Sequence, residues 1–241
     1  MTREHVIEIV CHRGANEYAP ENTYASAERC IEWGVDYLEI DVNTSRDGVM
    51  YVFHGPDLER TTGVNAKIYE LDSDDVDRLD CGSWFGPGFA GTRIPRLDEF
   101  LLWVDHRVKL FFDVKFADLP ELVRLVEARG LVDECFFWFG RDKFARALHE
   151  LAPHLALKIN VNRPDQVAHA RKEYGARIVE FSLANMSEAM AEACRASGVK
   201  SMILQRPFSI SAYEAILTSG VDMVNLDHAD RFLEVARRVS N

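Results

Sequence analysis

Seven charged or imidazole side chains stand where strand-like apolar runs of this chain come to an end. His12 and Arg13 follow the run from Val6 to Cys11. Glu39 and Asp41 lie two apart within Tyr37 to Val42. His54 closes a run from Val49, and Asp113 and Lys115 lie two apart at the end of Lys109 to Val114. Side chains two apart on a strand point the same way. Glu39 and Asp41 therefore share one face, while Leu38, Ile40 and Val42 take the other. Two neighbouring carboxylates in a confined space repel each other unless a counter-charge or a shared proton relieves them. A divalent cation does this economically, and an all-oxygen ligand set suits Mg2+ or Ca2+. Asp113 would be the third carboxylate. The plainer alternative is an ordinary ion-pair network with Lys115 bonded to Asp113. His12 and His54 are the two histidines that fall at strand ends beside these acids, and imidazole titrates near neutral pH, as an acid–base pair requires. His5, His106, His149, His154 and His169 lack such company and are expected at the surface. His228 follows the last strand and is expected to have no catalytic role.

The elements that would position these groups alternate along the chain. A helix capped by Asn22 is expected to run to about Trp33 and to end at Gly34. Asp47-Gly48 signals a hairpin whose return strand is antiparallel. Further strands are expected at Lys109–Val114, Cys135–Phe139, Leu155–Ile159, Ile178–Phe181, Ser201–Leu204 and Met223–Leu226. Helices are expected at Leu97–Asp105, Leu119–Ala128, Asp142–Leu151, Asp165–Tyr174, Ser187–Ala196, Ser211–Thr218 and Ala229–Val239. Strands alternating with helices imply a parallel sheet. Without the hairpin return, about eight such units predict a closed TIM-type (β/α)8 barrel. No glycine fingerprint of a nucleotide-binding open sheet follows the first strand. Active sites of such barrels form at the C-terminal ends of the strands, where all seven side chains fall. About residues 56–92 break the alternation and carry many glycines, so an inserted loop or small subdomain is expected inside one domain spanning 1–241.

Composition limits the partners. The chain has 241 residues, 47% of them hydrophobic, and a net charge of -11. A broadly acidic surface disfavours nucleic acid and anionic membrane, although a small anionic substrate remains compatible with a locally cationic site. No apolar stretch reaches the length of a membrane span, and the N-terminal residues lack the apolar core of a signal peptide. Stable membrane association is therefore not expected. Five widely spaced cysteines without a CxxC pair point to reduced, mostly buried thiols and a cytoplasmic location. The sequence does not specify an oligomeric state.

The order of these motifs resembles the glycerophosphodiester phosphodiesterase family. His12-Arg13-Gly14 with Pro20-Glu21-Asn22-Thr23 resembles that family's opening signature. Glu39-x-Asp41 resembles its metal motif. His54 with Leu58, Arg60, Thr61 and Thr62 resembles its second histidine segment. Ile94-Pro95-Arg96-Leu97 resembles the close of its insertion, Asp113-x-Lys115 its Glu-x-Lys strand, and Asp222, Leu226 and Asp227 its last barrel strand. The resemblance implies a barrel with a small insertion after the second strand. It also implies one divalent cation held by Glu39, Asp41 and Asp113, catalysis by His12 and His54, phosphate contacts from Arg13 and Lys115, and support of the first histidine loop by Glu21 and Asn22. The implied reaction is hydrolysis of a small phosphodiester to glycerol 3-phosphate and an alcohol.

The chain also departs from the family pattern. Asp113 stands where the family usually has glutamate, and Gly55 where it has an acid after the second histidine. Phe139-Gly140 replaces a serine at the fourth barrel strand. Gln205-Arg206 replaces the Trp-Thr-Val-Asn-like segment, and Leu-Asp-His-Ala-Asp ends the last strand. The walls of the alcohol pocket are thus changed more than the metal and histidine core. Competing readings are a related barrel acting on another diester, lysophospholipase D-like; a sugar-phosphate aldolase or isomerase using Lys115 as a Schiff-base lysine; and a barrel that binds a phosphate ligand without turnover.

Overall fold

Alternation along the strands decides the centre of the molecule. In the computed structural model, which describes residues 7–239, each barrel strand sends one set of side chains to the axis and the other to the helices. Leu38, Ile40, Val42, Leu110, Phe112 and Val114 pack outward into the main hydrophobic core. Val10, Tyr37, Phe111, Phe136, Ile178, Met202 and Met223 form a second cluster inside the barrel, so its lower part is packed rather than open. The rings of Phe111 and Phe136 stack at 4.4 Å there.

In chain order the first half comprises β1 (Glu8–Cys11), α1 (Tyr24–Trp33), β2 (Tyr37–Thr44), β3 (Met50–Val52), α2 (Glu59–Thr62), α3 (Ser73–Val76), α4 (Leu97–Val104), β4 (Lys109–Val114) and α5 (Leu119–Ala128). The second half comprises β5 (Cys135–Phe139), α6 (Asp142–Leu151), β6 (Ala156–Asn160), α7 (Asp165–Tyr174), β7 (Ile178–Phe181), α8 (Glu188–Ser197), β8 (Lys200–Gln205), α9 (Ile210–Thr218), β9 (Met223–Leu226) and α10 (Ala229–Val239). The strands other than β3 pair in parallel, in the order β1, β9, β8, β7, β6, β5, β4, β2, and the pairing of β1 with β2 closes the ring. This is the expected eight-stranded barrel. β3 adds antiparallel to the edge of β2, with Val42 opposite Val52 and Thr44 opposite Met50.

Two expectations need adjustment. The return strand after Asp47-Gly48 is shorter than Val49 to His54, so His54 stands just beyond it. The first helix is capped by Thr23, not Asn22. Thr23 accepts from the Ser26 amide and Ser26 returns the bond to the Thr23 amide, a reciprocal cap that satisfies two amides at once. Asn22 is left free for another task. Val6 and His5 lie outside the described residues.

From β3 to the start of α4 the chain builds a small core of its own from Tyr51, Phe53, Leu58, Ile68, Val76, Cys81 and Ile94. Polar clasps tie this segment to the barrel. Asp47 accepts from the Ser45 hydroxyl and from the amide and hydroxyl of Ser73, which hold its carboxyl down at about 2. Tyr51 donates to Asp77, which also pairs with Arg96. The five cysteines are free and buried.

Candidate active site at the strand C-termini

The turn after β1 shapes the first side of the site. Gly14 has φ +78, and a Cβ on it would sit 2.5 Å from the Ser26 hydroxyl, so the turn can press against α1 only with glycine there. Arg13 and Asn22 also take positive φ, 57 and 58 degrees. A side-chain-bearing residue holds that conformation at a cost of roughly 1–2 kcal/mol unless its surroundings compensate. Both compensations involve the acidic pair. The Arg13 amide donates to Glu39 Oε2 at 2.5 Å. Asn22 donates through Nδ2 to Asp41 Oδ2 at 2.8 Å and accepts the Asp41 amide at 3.1 Å.

Glu39 and Asp41 are almost fully buried, at 1% and 0% exposure. β4 lies beside β2 with Asp113 directly opposite Asp41. Glu39, Asp41 and Asp113 each offer an oxygen, and these three atoms lie within 4.8 Å of one another. Lys115 Nζ bonds Asp113 Oδ2 at 2.5 Å and stands 3.0 Å from Asp41 Oδ1, while Arg13 Nε lies 3.4 Å from Asp41 Oδ2. Both ideas raised by the Asp113-x-Lys115 spacing thus hold together: Lys115 pairs with Asp113, and Asp113 still joins the carboxylate cluster.

The electrostatics divide the acids. Burial raises the Glu39 carboxyl far above the usual range, and the charges on Asp41 and Asp113 add to this. Burial also raises Asp113, with Asp41 adding. Burial opposes ionisation of Asp41 too, but Lys115, Arg13 and His54 outweigh it, and its carboxyl falls below its ordinary value. Burial would lower the Lys115 ammonium, yet Asp41 and Asp113 prevail and raise it. Two cations face three carboxylates, and Asp113 Oδ1 is buried with no hydrogen-bond partner. Three clustered carboxylates with a spare buried oxygen fit a hard divalent cation.

The histidines flank this cluster differently. His12 Nδ1 donates to Asp227 Oδ1 at 2.6 Å, and Asn16 donates to the same oxygen at 2.9 Å. Burial pushes the Asp227 carboxyl up, but the bonds from His12 and Asn16 outweigh it and hold it below its ordinary value. An ionised carboxylate can only accept, so Nδ1 carries the proton and Nε2 is the nitrogen available for chemistry. His54 is half-buried, and this burial lowers its imidazole despite the opposing charge of Asp41. Asn43 donates to the carbonyls of Phe53 and His54 and fixes that segment to β2. Glu21 bonds Arg13 at 3.3 Å and takes two bonds from Arg60.

The structure therefore gathers all nine residues proposed from sequence on one face of the barrel: His12, Arg13, Glu21, Asn22, Glu39, Asp41, His54, Asp113 and Lys115. Asn22 serves the site by fixing Asp41. Sequence reasoning named Asp227 and Arg60 only as parts of motifs, without a role at the site, and missed Asn16. Asp227 was legible in principle, because barrel closure pairs Cys11 with Leu226 and so sets the next residues, His12 and Asp227, side by side. His228 lies against Phe208, with ring centroids 6.0 Å apart. His106 and His154 are exposed and pair with Glu134 and Glu127.

A buried tri-carboxylate cluster, flanked by two histidines and two cations, stands at the mouth of a (β/α)8 barrel. Comparison with known proteins makes this specific. Residues 12–203 match the Glycerophosphoryl diester phosphodiesterase family, and the chain belongs to that family. A glycerophosphodiester phosphodiesterase from Caldanaerobacter subterraneus is 26% identical over 95% of this chain and 98% of its own. The Bacillus subtilis relative YhdW is 36% identical over 107 residues, and that match covers only 44% of either chain. The crystal structure of a glycerophosphodiester phosphodiesterase from Agrobacterium tumefaciens superposes with a TM-score of 0.91 at 33% identity, over 95% of this chain and 100% of that one. An Oleispira antarctica phosphodiesterase, solved with the product sn-glycerol-3-phosphate, shares the fold at a TM-score of 0.86 and 23% identity.

Proposed function

We propose that this protein hydrolyses glycerophosphodiesters to glycerol 3-phosphate and an alcohol, with His12 and His54 as the acid–base pair. The observation that carries this reading is the buried Glu39–Asp41–Asp113 cluster, with Arg13, Lys115 and both histidines on the same face. A divalent cation, Mg2+ or Ca2+, held by those three carboxylates would supply Lewis-acid polarisation of the phosphate and orientation of the reacting groups. Arg13 and Lys115 offset the negative charge of the phosphoryl group. His12 takes at Nε2 the proton of the hydroxyl, from water or from the glycerol arm, whose oxygen bonds to phosphorus as the ester bond to the leaving oxygen breaks, and Asp227 stabilises the resulting imidazolium through Nδ1, as in other His–carboxylate pairs. His54 serves the other proton transfer, to the leaving oxygen. Burial keeps it neutral to a lower pH than a free imidazole, so it must be loaded with its proton in the substrate complex.

The Schiff-base alternative is disfavoured. Lys115 pairs with two carboxylates that hold it charged, whereas an amine nucleophile must lose its proton. Following glycerophosphocholine by phosphorus NMR tests the assignment. Glycerol 3-phosphate as the phosphorus product supports it, and choline phosphate in its place refutes it.

The other expectations remain part of this proposal. They are a single domain carrying an insertion, a small-molecule phosphodiester as partner, no nucleic-acid partner and a cytoplasmic location. No helix among the described residues is long and apolar enough to cross a membrane.

A further inference from the structure

The side of the barrel mouth opposite the histidines carries a second polar device. Lys158, on β6, is buried at 3% exposure, and its Nζ donates to Glu180 Oε1 at 3.0 Å and to Asn160 Oδ1 at 2.9 Å. The same ammonium lies 4.7 Å from the centre of the Trp138 ring, and Lys115 Nζ lies 5.5 Å from that centre. One tryptophan thus separates the Lys158 network from a cation of the candidate phosphate site. Asn160 ends β6 at the C-terminal side and is exposed.

The orientation of its amide is fixed by chemistry. A lysine ammonium only donates, so the Asn160 oxygen must face Lys158 and its Nδ2 must face away. Among the described residues Nδ2 has no hydrogen-bond acceptor, and Asn160 is exposed at the C-terminal end of β6. Opposite it on β7, Glu180 Oε2 is buried without a hydrogen-bond partner. A buried ion pair is a weak source of net stability, but it holds an attached group in one geometry. Here that group is an exposed amide at the rim of a reaction site.

We propose that Asn160, oriented by the Lys158–Glu180 pair, is a hydroxyl-reading subsite for the alcohol arm of the substrate, selecting polyhydric alcohols over choline. This rests on the phosphodiesterase reading given above. A hydroxyl accepts from Nδ2 and still has a proton to give to an acceptor on this wall. A trimethylammonium group does neither. A choline headgroup would also want an aromatic face or a free carboxylate. Trp138 already holds two ammonium groups, and the Glu180 carboxylate is buried and bonded to Lys158.

The test measures kcat/KM for glycerophosphoglycerol, glycerophosphoinositol, glycerophosphocholine and bis(4-nitrophenyl) phosphate at saturating divalent cation. The wild-type protein is expected to prefer the two polyol diesters over the choline diester by about tenfold or more. A site built around a hydrogen bond discriminates sharply against ligands that cannot make it. Asn160→Leu should bring that ratio close to one. Asn160→Asp separates recognition from a structural role, because it still accepts from Lys158 but presents no donor, and it should also lose the preference. Lys158→Met/Glu180→Leu, which removes the pair as a unit, should lower the ratio in part. A wild-type ratio of one or below overturns the subsite, as does an unchanged ratio in Asn160→Asp. Cleavage of bis(4-nitrophenyl) phosphate without any preference removes the subsite alone. No cleavage of any of the four diesters removes the phosphodiesterase reading and the subsite with it.

Discussion

The two halves of the barrel mouth are built on different principles. On the β1–β2–β4 side, charges crowd together in excess: three carboxylates, two cations and two histidines, with acids pushed both above and below their ordinary values. On the β6–β7 side, one lysine meets one glutamate, the pair is buried, and the outward group is a neutral amide. The first arrangement suits reaction, because groups with divided proton affinities are what acid–base chemistry needs. The second suits recognition, because a fixed dipole reads a partner without titrating.

The sharpest break of this contrast lies on the reactive side. His12→Ala and His54→Ala should each lower kcat by about 10²–10⁴-fold. Circular dichroism and thermal melting should show the fold intact. If only one variant loses activity, the histidines are not a pair.

The opposite side should break through stability. Lys158→Met alone leaves Glu180 charged in the barrel interior and should destabilise the protein by about 3–5 kcal/mol in urea unfolding. The double change Lys158→Met/Glu180→Leu should recover most of that loss. If the single variant is as stable as wild type, the pair is not a buried unit.

A smaller effect sharpens the link between the last strand and the first. Asp227→Asn should lower kcat by roughly 10–100-fold, since the partner of a working imidazole fixes its tautomer and orientation. The measurement is the pH profile of kcat/KM. A fall in rate with an altered limb supports orientation of His12, and a wild-type profile does not.

The smallest effect lies at the insertion. The Asp47 carboxyl is held at about 2, below its ordinary 3.8, first by the Ser45 and Ser73 hydroxyls. A depressed carboxyl contributes stability that is present above the ordinary value and lost as pH falls through the lowered one. Acid unfolding between about pH 4 and 2 should therefore be slightly less steep in Asp47→Asn. The effect is small because the group is exposed.

The barrel and its reactive side were legible in the sequence because each rests on a local signal. Strand runs such as Lys109–Val114 and Cys135–Phe139 are bounded by their own polar neighbours, and Glu39-x-Asp41 declares a shared face through strand alternation alone. Where two local signals competed, the reading slipped by one residue. Asn22 and Thr23 both suit a helix cap, and only the nearness of Asp41 shows why Asn22 is used elsewhere. Long-range partners were harder to see. Asp227 meets His12 across 215 residues, through closure of the ring. Lys158 and Glu180 look like solvated charges within apolar runs, and only their inward register buries them.

Release of glycerol 3-phosphate from glycerophosphodiesters, with EDTA and then with added Mg2+, Ca2+ or Mn2+, tests the central claim most directly. The account predicts no release in EDTA, restoration by a divalent cation, and loss of that restoration in Asp41→Asn and Asp113→Asn. Release that is undiminished in EDTA, or that survives both substitutions, would contradict a cation held by Glu39, Asp41 and Asp113.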